Sequence, residues 1–255
     1  MRILFTVCGR AGSKGFKNKN LKTMNGVPLV YYTLAAIRLY AKKHIDDDIT
    51  VALNTDSPEL QDLVRKQHLY ENVVCVERKQ ELAGDRVAKV DVIRDTYKSA
   101  KDKGAYDIVV DLDITSPLRS GEDIDNAIKE YYSDPDHDIV FSVVEARRSP
   151  YFNMVEKKDG FYRKICASSY TARQEAPQSY ELNASIYVYD PQFLERETDN
   201  TILDNRCGIS VMKDYLVLDI DSEEDYRMME LLHGYYCKTD PLIREVYETA
   251  KSGGQ

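Results

Sequence analysis

Two stretches combine residue types and spacings that can do chemistry. The first is Cys8-Gly9-Arg10-Ala11-Gly12-Ser13-Lys14-Gly15. Gly9, Gly12 and Gly15 let the backbone come close to an anion and turn N–H groups towards it. Arg10 and Lys14 can bind phosphate oxygens, with Lys17, Lys19 and Lys22 adding charge behind them. The first 45 residues hold nine Lys and Arg and no Asp or Glu, in a chain of formal net charge −8. An acid placed there would cancel much of this attraction, since a charge pair about 4 Å apart is worth about 4 kcal/mol at an effective dielectric of about 20. Such a local basic loop in an acidic chain points to a polyphosphate. A nucleic-acid binder would spread its positive charge over a whole face. The spacing fits neither the P-loop nor the dinucleotide fingerprint.

The second stretch is Asp219-Ile220-Asp221. On a strand these alternate carboxylates share a face and suit two oxygen ligands for one divalent ion, Mg²⁺ or alternatively Mn²⁺, with substrate phosphates and water completing its shell. Asp111-Leu112-Asp113 is a competing pair, and Asp113 could serve a metal or a sugar hydroxyl. Either pair could instead be a solvated strand end. His44, His68, His137 and His233 lie far apart, and nothing resembles a nucleophile elbow or a Ser/His/Asp arrangement.

The elements that must position these residues alternate. Strands are expected at Ile3–Val7, Ile49–Leu53, Asn72–Val76, Asp107–Leu112 and Asp138–Val144. Between them fall helices at Leu29–Lys43, from Ser57-Pro58 onward, at Val87–Lys101 and at Glu122–Tyr132. This order predicts an α/β fold, a mainly parallel Rossmann-like sheet with helices on both faces. Ligands of such sheets sit beyond the carboxyl ends of the strands, where the glycine-rich loop and the turn Thr115-Ser116-Pro117-Leu118-Arg119 both fall. Residues 145–182 break the rhythm and read as an inserted, β-rich lobe suited to a subunit contact. The main domain is then 1–144 plus 183–250, with strands at Asn183–Tyr189 and Leu216–Ile220 and a helix at Glu223–Leu232 capped by Ser222. Residues 251–255 read as a loose tail. Five scattered cysteines without a C-x-x-C pair argue for reduced thiols and a cytoplasmic address, and neither a signal peptide nor a membrane span is expected.

Taken in order, the motifs resemble the CMP-sialic acid synthetases, the N-acylneuraminate cytidylyltransferase family. Gly9–Gly15 followed by Lys17-Asn18-Lys19-Asn20-Leu21 is similar to the family's A-R-x-G-S-K-G…K-N-L signature. Glu81-Leu82-Ala83 with Asp85 is similar to its E-L-A-x-D, and Thr115–Arg119 to its T-S-P-L-R. Asn183-Ala184-Ser185-Ile186-Tyr187 resembles its N-G-A-I-Y strand, and Leu218–Asp221 its I-D-I-D. The resemblance runs from residue 3 to about 230 and implies the nucleotidyltransferase fold. It also implies transfer of CMP from CTP to the anomeric hydroxyl of a nine-carbon 2-keto acid sugar, with release of pyrophosphate.

Carried over residue by residue, it implies that Arg10, Lys14 and Lys19 act on the phosphates. Gly12, Ser13, Asn20, Arg78 and Asp85 would hold the nucleotide, and Asp219 and Asp221 would hold Mg²⁺. Asp113, Thr115, Arg173, Asn183 and Tyr187 would meet the sugar. The family's inserted lobe forms a homodimer and lends sugar-binding groups to the neighbour's site. The chain departs from the family at Cys8-Gly9, at Asp113-Ile114 and at Arg86-Val87-Ala88-Lys89, which bears on the sugar more than on the reaction. Among the family's branches it looks most like the bacterial one that activates legionaminic acid. Cytidylyltransferases for Kdo or pseudaminic acid, a metal-dependent glycosyltransferase and a non-catalytic nucleotide-binding protein are the alternatives.

Overall fold

In a computed structural model of the chain, residues 1–12, 15–101, 104–196 and 201–254 are described. Strand β1 (Arg2–Cys8) is apolar on both faces because both are covered. Ile3, Phe5 and Val7 enter one core and Leu4 the other. Burying each such side chain contributes about 1.5–3 kcal/mol. On one side β1 pairs with β4 (Asp48–Thr55), which pairs with the edge strand β5 (Val74–Glu77). On the other it pairs with β6 (Ile108–Leu112). Beyond β6 come β10 (Tyr180–Tyr189), β7 (Ile139–Glu145) and β11 (Cys207–Val211). Among the described residues only β10 runs against its neighbours, so six of the seven strands of this sheet share one direction, as the sequence pattern implies.

Helix α1 (Leu29–Lys43) is buried almost throughout because α4 (Gly121–Ser133) and α7 (Pro241–Ser252) lie against it. A Cβ on Gly121 would meet the Tyr40 backbone nitrogen at 2.9 Å, so this crossing demands glycine. Helix α2 (Pro58–Lys66) starts as its cap predicts, with the Ser57 hydroxyl accepting from Leu60 N at 3.2 Å. Helix α3 (Lys89–Ala100) covers the opposite face, where Ile93 and Tyr97 pack with Phe193 and Leu194 of the short helix α5 (Pro191–Glu195). Helix α6 (Glu223–Thr239) opens with Ser222 and Asp225 capping each other.

Four expectations differ from what is observed. Leu216–Ile220 is not a strand: Asp214–Val217 makes a 3₁₀ turn, and the chain then runs without regular structure to the Ser222 cap. Strand β11 went unread because Gly208 interrupts its pattern, yet a Cβ there would strike the His137 ring at 2.7 Å. Helix α6 runs on past Leu232, and α7 follows it with Asp240 as cap and Pro241 as first residue. The tail is tied down as far as Gly254. Lys251 and Ser252 finish α7, and Gly253 O accepts from His68 N at 3.0 Å.

Residues 146–179 leave the sheet between β7 and β10. They carry a hairpin, β8 (Val155–Lys158) and β9 (Phe161–Lys164), closed by Asp159 and Gly160 at φ 53° and 84°. Two positive φ values are what a two-residue turn needs to match the strand twist. The short pair β2 (Thr23–Met24) and β3 (Val27–Pro28) leads into α1.

Candidate active site

At the carboxyl ends of β1 and β6 a cleft of about 230 Å³ opens. Arg10, Lys19, Asn20, Arg78, Asp85, Lys89, Asp113, Thr115 and Asp219 reach it, with Cys8, Leu82, Val87 and Val92 forming its apolar wall. The loop leaving β1 supplies one side. Gly9 N donates to Asn54 O at 3.1 Å, and Asn20 Nδ2 donates back to Arg10 O at 3.1 Å. Ala11 N is not turned into the cleft: it donates to Asp56 Oδ1 at 2.7 Å. Gly12 takes φ +72°, in the left-handed region. Ser13 and Lys14, both expected at the triphosphate, lie outside the described residues. A Cβ on Gly15 would sit 2.7 Å from the backbone oxygen of Asp221, so only glycine lets this loop lie on the Asp219–Asp221 segment.

The charges of the cleft are paired. Arg10 Nη1 binds Asp85 Oδ1 at 2.7 Å. Lys19 Nζ binds Asp221 Oδ1 at 2.8 Å and Ile220 O at 3.1 Å. Arg78 is buried and donates to Asn54 Oδ1 at 2.8 Å and Asn54 O at 3.1 Å, which fixes it as part of the wall. On the floor, Lys89 Nζ lies 2.8 Å from Asp111 Oδ2 and 2.6 Å from Asp113 Oδ2, over the Tyr187 ring at 5.3 Å. Burial would lower the Lys89 pKa, but Asp111 and Asp113 outweigh it and raise it well above the usual lysine value. For Asp113, burial acts upward, and Lys89 and Thr115 overcome it to hold the carboxyl at about 2. Thr115 donates to Asp113 Oδ1 from both N (3.2 Å) and Oγ1 (2.9 Å).

Asp219 is different. Its Oδ1 is buried with no hydrogen-bond partner, and burial first, then Asp113, raises its pKa. An unpaired buried carboxylate oxygen beside a second carboxylate fits a cation. Asp221 does not face the cleft beside it. Its side chain is 75% exposed and turned to Lys19, because the segment is irregular where alternation on a strand was expected. Among the described residues no three His, Cys, Asp or Glu side chains gather into a closed metal site. A divalent ion held at Asp219 would therefore draw the rest of its shell from water and substrate, as Mg²⁺ commonly does.

The fold does not bring all the expected sugar residues together. Asn183 is buried and spent on structure: its Oδ1 accepts from Ser142 Oγ at 2.6 Å and its Nδ2 donates to Leu216 O at 3.1 Å. Tyr187 lies beneath Lys89 and is nearly buried. Arg173 faces a separate cavity of about 470 Å³ with Glu145, Arg148 and Gln174, and its Nη2 donates to Ala146 O at 2.7 Å. Arg119 closes the Thr115–Arg119 turn as a buried clamp. It donates to Ser185 O at 2.8 Å, Thr33 Oγ1 at 3.0 Å and Asp113 O at 3.2 Å, and burial lowers its pKa to about 10.

Lys89 is the residue the chemical reading of the sequence passed over, noted only as a departure from a family pattern. The available signal was electrostatic. A lysine as first residue of a helix opposes the macrodipole and needs a carboxylate partner.

Comparison with known proteins places this geometry. A family described as "Cytidylyltransferase" matches residues 4–240. Post-translational flagellin modification protein B of Campylobacter coli is 35% identical over 90% of this chain and 94% of its own length. The CMP-N,N'-diacetyllegionaminic acid synthase of Campylobacter jejuni shows the same identity and coverage. N-acylneuraminate cytidylyltransferase of Streptococcus agalactiae is 27% identical over 89% of this chain and 52% of its own length. In fold, the chain superposes on a CMP:2-keto-3-deoxy-manno-octonic acid synthetase solved with CTP at a TM-score of 0.64, covering 92% of this chain and 99% of that one at 13% identity. With the match running from the middle of β1 into the cap of α7, the chain belongs to the cytidylyltransferase family and is a nucleotidyltransferase enzyme.

Proposed function

We propose that this enzyme transfers CMP from CTP to the anomeric hydroxyl of a nine-carbon 2-keto acid sugar, legionaminic acid by preference and N-acetylneuraminic acid as the near alternative, releasing pyrophosphate. The observation that carries the reading is the cleft itself. One basic loop, one paired acidic floor and one carboxylate with a buried, unpartnered oxygen meet at the carboxyl ends of β1 and β6. The two Campylobacter relatives, aligned over nearly their whole length, support the substrate class.

In this reading Arg10 and Lys19 leave Asp85 and Asp221 to neutralise the triphosphate, with Lys14 and Ser13 of the same loop. The backbone around Gly12 lies against the phosphates, and Asn20, Arg78 and Asp85 place the nucleoside. Asp113, held ionised between Lys89 and Thr115, accepts a hydrogen bond from the sugar. Mg²⁺, or Mn²⁺, would be held by Asp219, with Asp221 available to it only once Lys19 has turned to the triphosphate, and would supply charge neutralisation at the reacting phosphate. The sugar oxygen forms its bond to the α-phosphorus as the bond to pyrophosphate breaks, so the protein's work is positioning and charge balance.

The hairpin is read as a homodimer contact. Val155, Phe161 and Tyr162 are exposed there, more apolar surface than one short hairpin needs. Arg173, remote from its own cleft, then serves the neighbour's. Nothing in the described residues is long and apolar enough to cross a membrane as a helix, and a cytoplasmic address is part of this proposal.

The test is pyrophosphate release from CTP and Mg²⁺ with N,N′-diacetyllegionaminic acid, N-acetylneuraminic acid and Kdo in parallel. Release with a nine-carbon sugar, fastest with the legionaminic one, is expected. Release with Kdo alone, or with none of the three by folded protein, would refute the reading.

A further inference from the structure

Asp111 and Asp113 stand where a second divalent ion could be held. They leave the end of β6 on the same side, and one oxygen of each converges on a single point. That point already holds a cation. Lys89 Nζ lies 2.8 Å from Asp111 Oδ2 and 2.6 Å from Asp113 Oδ2. The rest of the pair is fixed as ligands are: Asp111 Oδ1 accepts from Thr6 Oγ1 at 2.7 Å, and Asp113 Oδ1 from Thr115. Asp111 is wholly buried, so its charge needs a permanent partner. Asp219, close enough to Asp113 for each to feel the other's charge, has a buried oxygen that Lys89 does not reach.

We propose that Lys89 is a built-in cation occupying the Asp111–Asp113 pair, so that a divalent ion is directed to Asp219 and the enzyme holds one such ion where these carboxylates could take two. Lys89 is thus a positioning residue: it acts through the carboxylates it holds. Because it starts α3 at the rim of the cleft, its ammonium also ties that helix to the end of β6 and fixes the cleft's width. The inference rests on reading the cleft as metal-dependent. Its test needs neither CTP nor sugar, so its failure is distinguishable from failure of the proposed reaction.

The experiment counts Mn²⁺ bound to nucleotide-free protein by electron paramagnetic resonance. Lys89→Ala is expected to bind one more Mn²⁺ per chain than the wild type, and Lys89→Ala combined with Asp113→Asn to lose that extra ion. Lys89→Arg, which keeps a cation in place, is expected to return to the wild-type count. If Lys89→Ala folds poorly in metal-free buffer, the same prediction is read from melting temperature, which Mn²⁺ should raise more in the variant than in the wild type. Equal ion counts in wild type and Lys89→Ala, or equal Mn²⁺-induced shifts, would overturn the assignment.

Discussion

Ala184 sits at φ +53°, in the left-handed region that an L side chain enters only at a cost, and the family strand that residues 183–187 resemble has glycine there. The strain has a purpose. Between Leu182 and Tyr187 the pairing of β10 with β7 shifts register, and the irregularity drives Asn183 inward to Ser142 and Leu216. It also turns Ser185 O towards Arg119 and Asp113 N, and so braces the turn that carries Asp113 and Thr115. The left-handed conformation costs a non-glycine residue about 1–2 kcal/mol. Glycine returns about 0.5–1 kcal/mol of that through greater freedom in the unfolded chain. Ala184→Gly is therefore expected to stabilise the protein by about 0.5–1 kcal/mol, or roughly 1–4 °C in Tm for a chain of this size. Urea denaturation, checked for an unchanged m-value, measures it, and turnover should stay within about twofold of wild type because the side chain reaches no cleft atom. A fall in stability would refute the reasoning. It would mean that the methyl group contributes packing worth more than the backbone strain.

Gly15→Ala would place a methyl on the Asp221 backbone oxygen; we expect activity to fall by at least tenfold with Tm changed by only a few degrees, since the loop yields before the core does. Steady-state rates beside a melting curve check this, and full activity would mean that the loop does not need its contact with Asp221. Arg119→Lys keeps a charge but loses the planar fork that reaches Ser185 O, Ser185 Oγ, Thr33 Oγ1 and Asp113 O at once. A loss of about 2–4 kcal/mol by urea denaturation is expected, and a change below about 1 kcal/mol would count against the clamp. His233 is buried between the Tyr32 and Tyr247 rings, 2.6 Å from Asn25 Nδ2, and burial lowers its pKa to about 4. Its imidazole is neutral in the fold while the unfolded chain takes up a proton near pH 6.5, so stability is present above about 6.5 and falls as pH drops from there to 4. That loss reaches about 2 kcal/mol by pH 5. His233→Gln should flatten the difference in urea midpoint between pH 7 and pH 5, and an identical difference in both proteins would remove His233 from the acid response.

How much of this was legible in the sequence follows from where local physics decided the outcome. Helix α1 was readable to the residue because its apolar positions wrap the helix and its proline stands just outside the first turn. The start of α2 was readable because a serine cap and a proline at the first position have one meaning. What failed was set by neighbours. Helix α6 was read only as far as Leu232, yet open space surrounds Gly234 and the helix runs through it to Thr239. Asp219–Asp221 has the alternation of a strand, but Lys19 and the backbone beside Gly15 hold it as an irregular segment that separates the two carboxylates. The candidate site was legible as motifs, because glycines, lysines and carboxylates announce phosphate and metal chemistry. The spending of Asn183 on the β10 irregularity, and of Lys89 on two carboxylates from another element, depends on distances no spacing encodes.

The most direct test of the account is pyrophosphate release by Asp219→Asn, measured against wild type with CTP, Mg²⁺ and the best of the three sugars. Asn keeps the shape of Asp219 and removes the charge on a buried oxygen that has no hydrogen-bond partner. The account predicts a fall in kcat of at least about a hundredfold, the scale of losing one group that stabilises charge at the reacting centre, with an unchanged melting curve and CTP binding within a few fold. Turnover at the wild-type rate would contradict it, and would move the metal, and with it the reacting phosphate, away from this cleft.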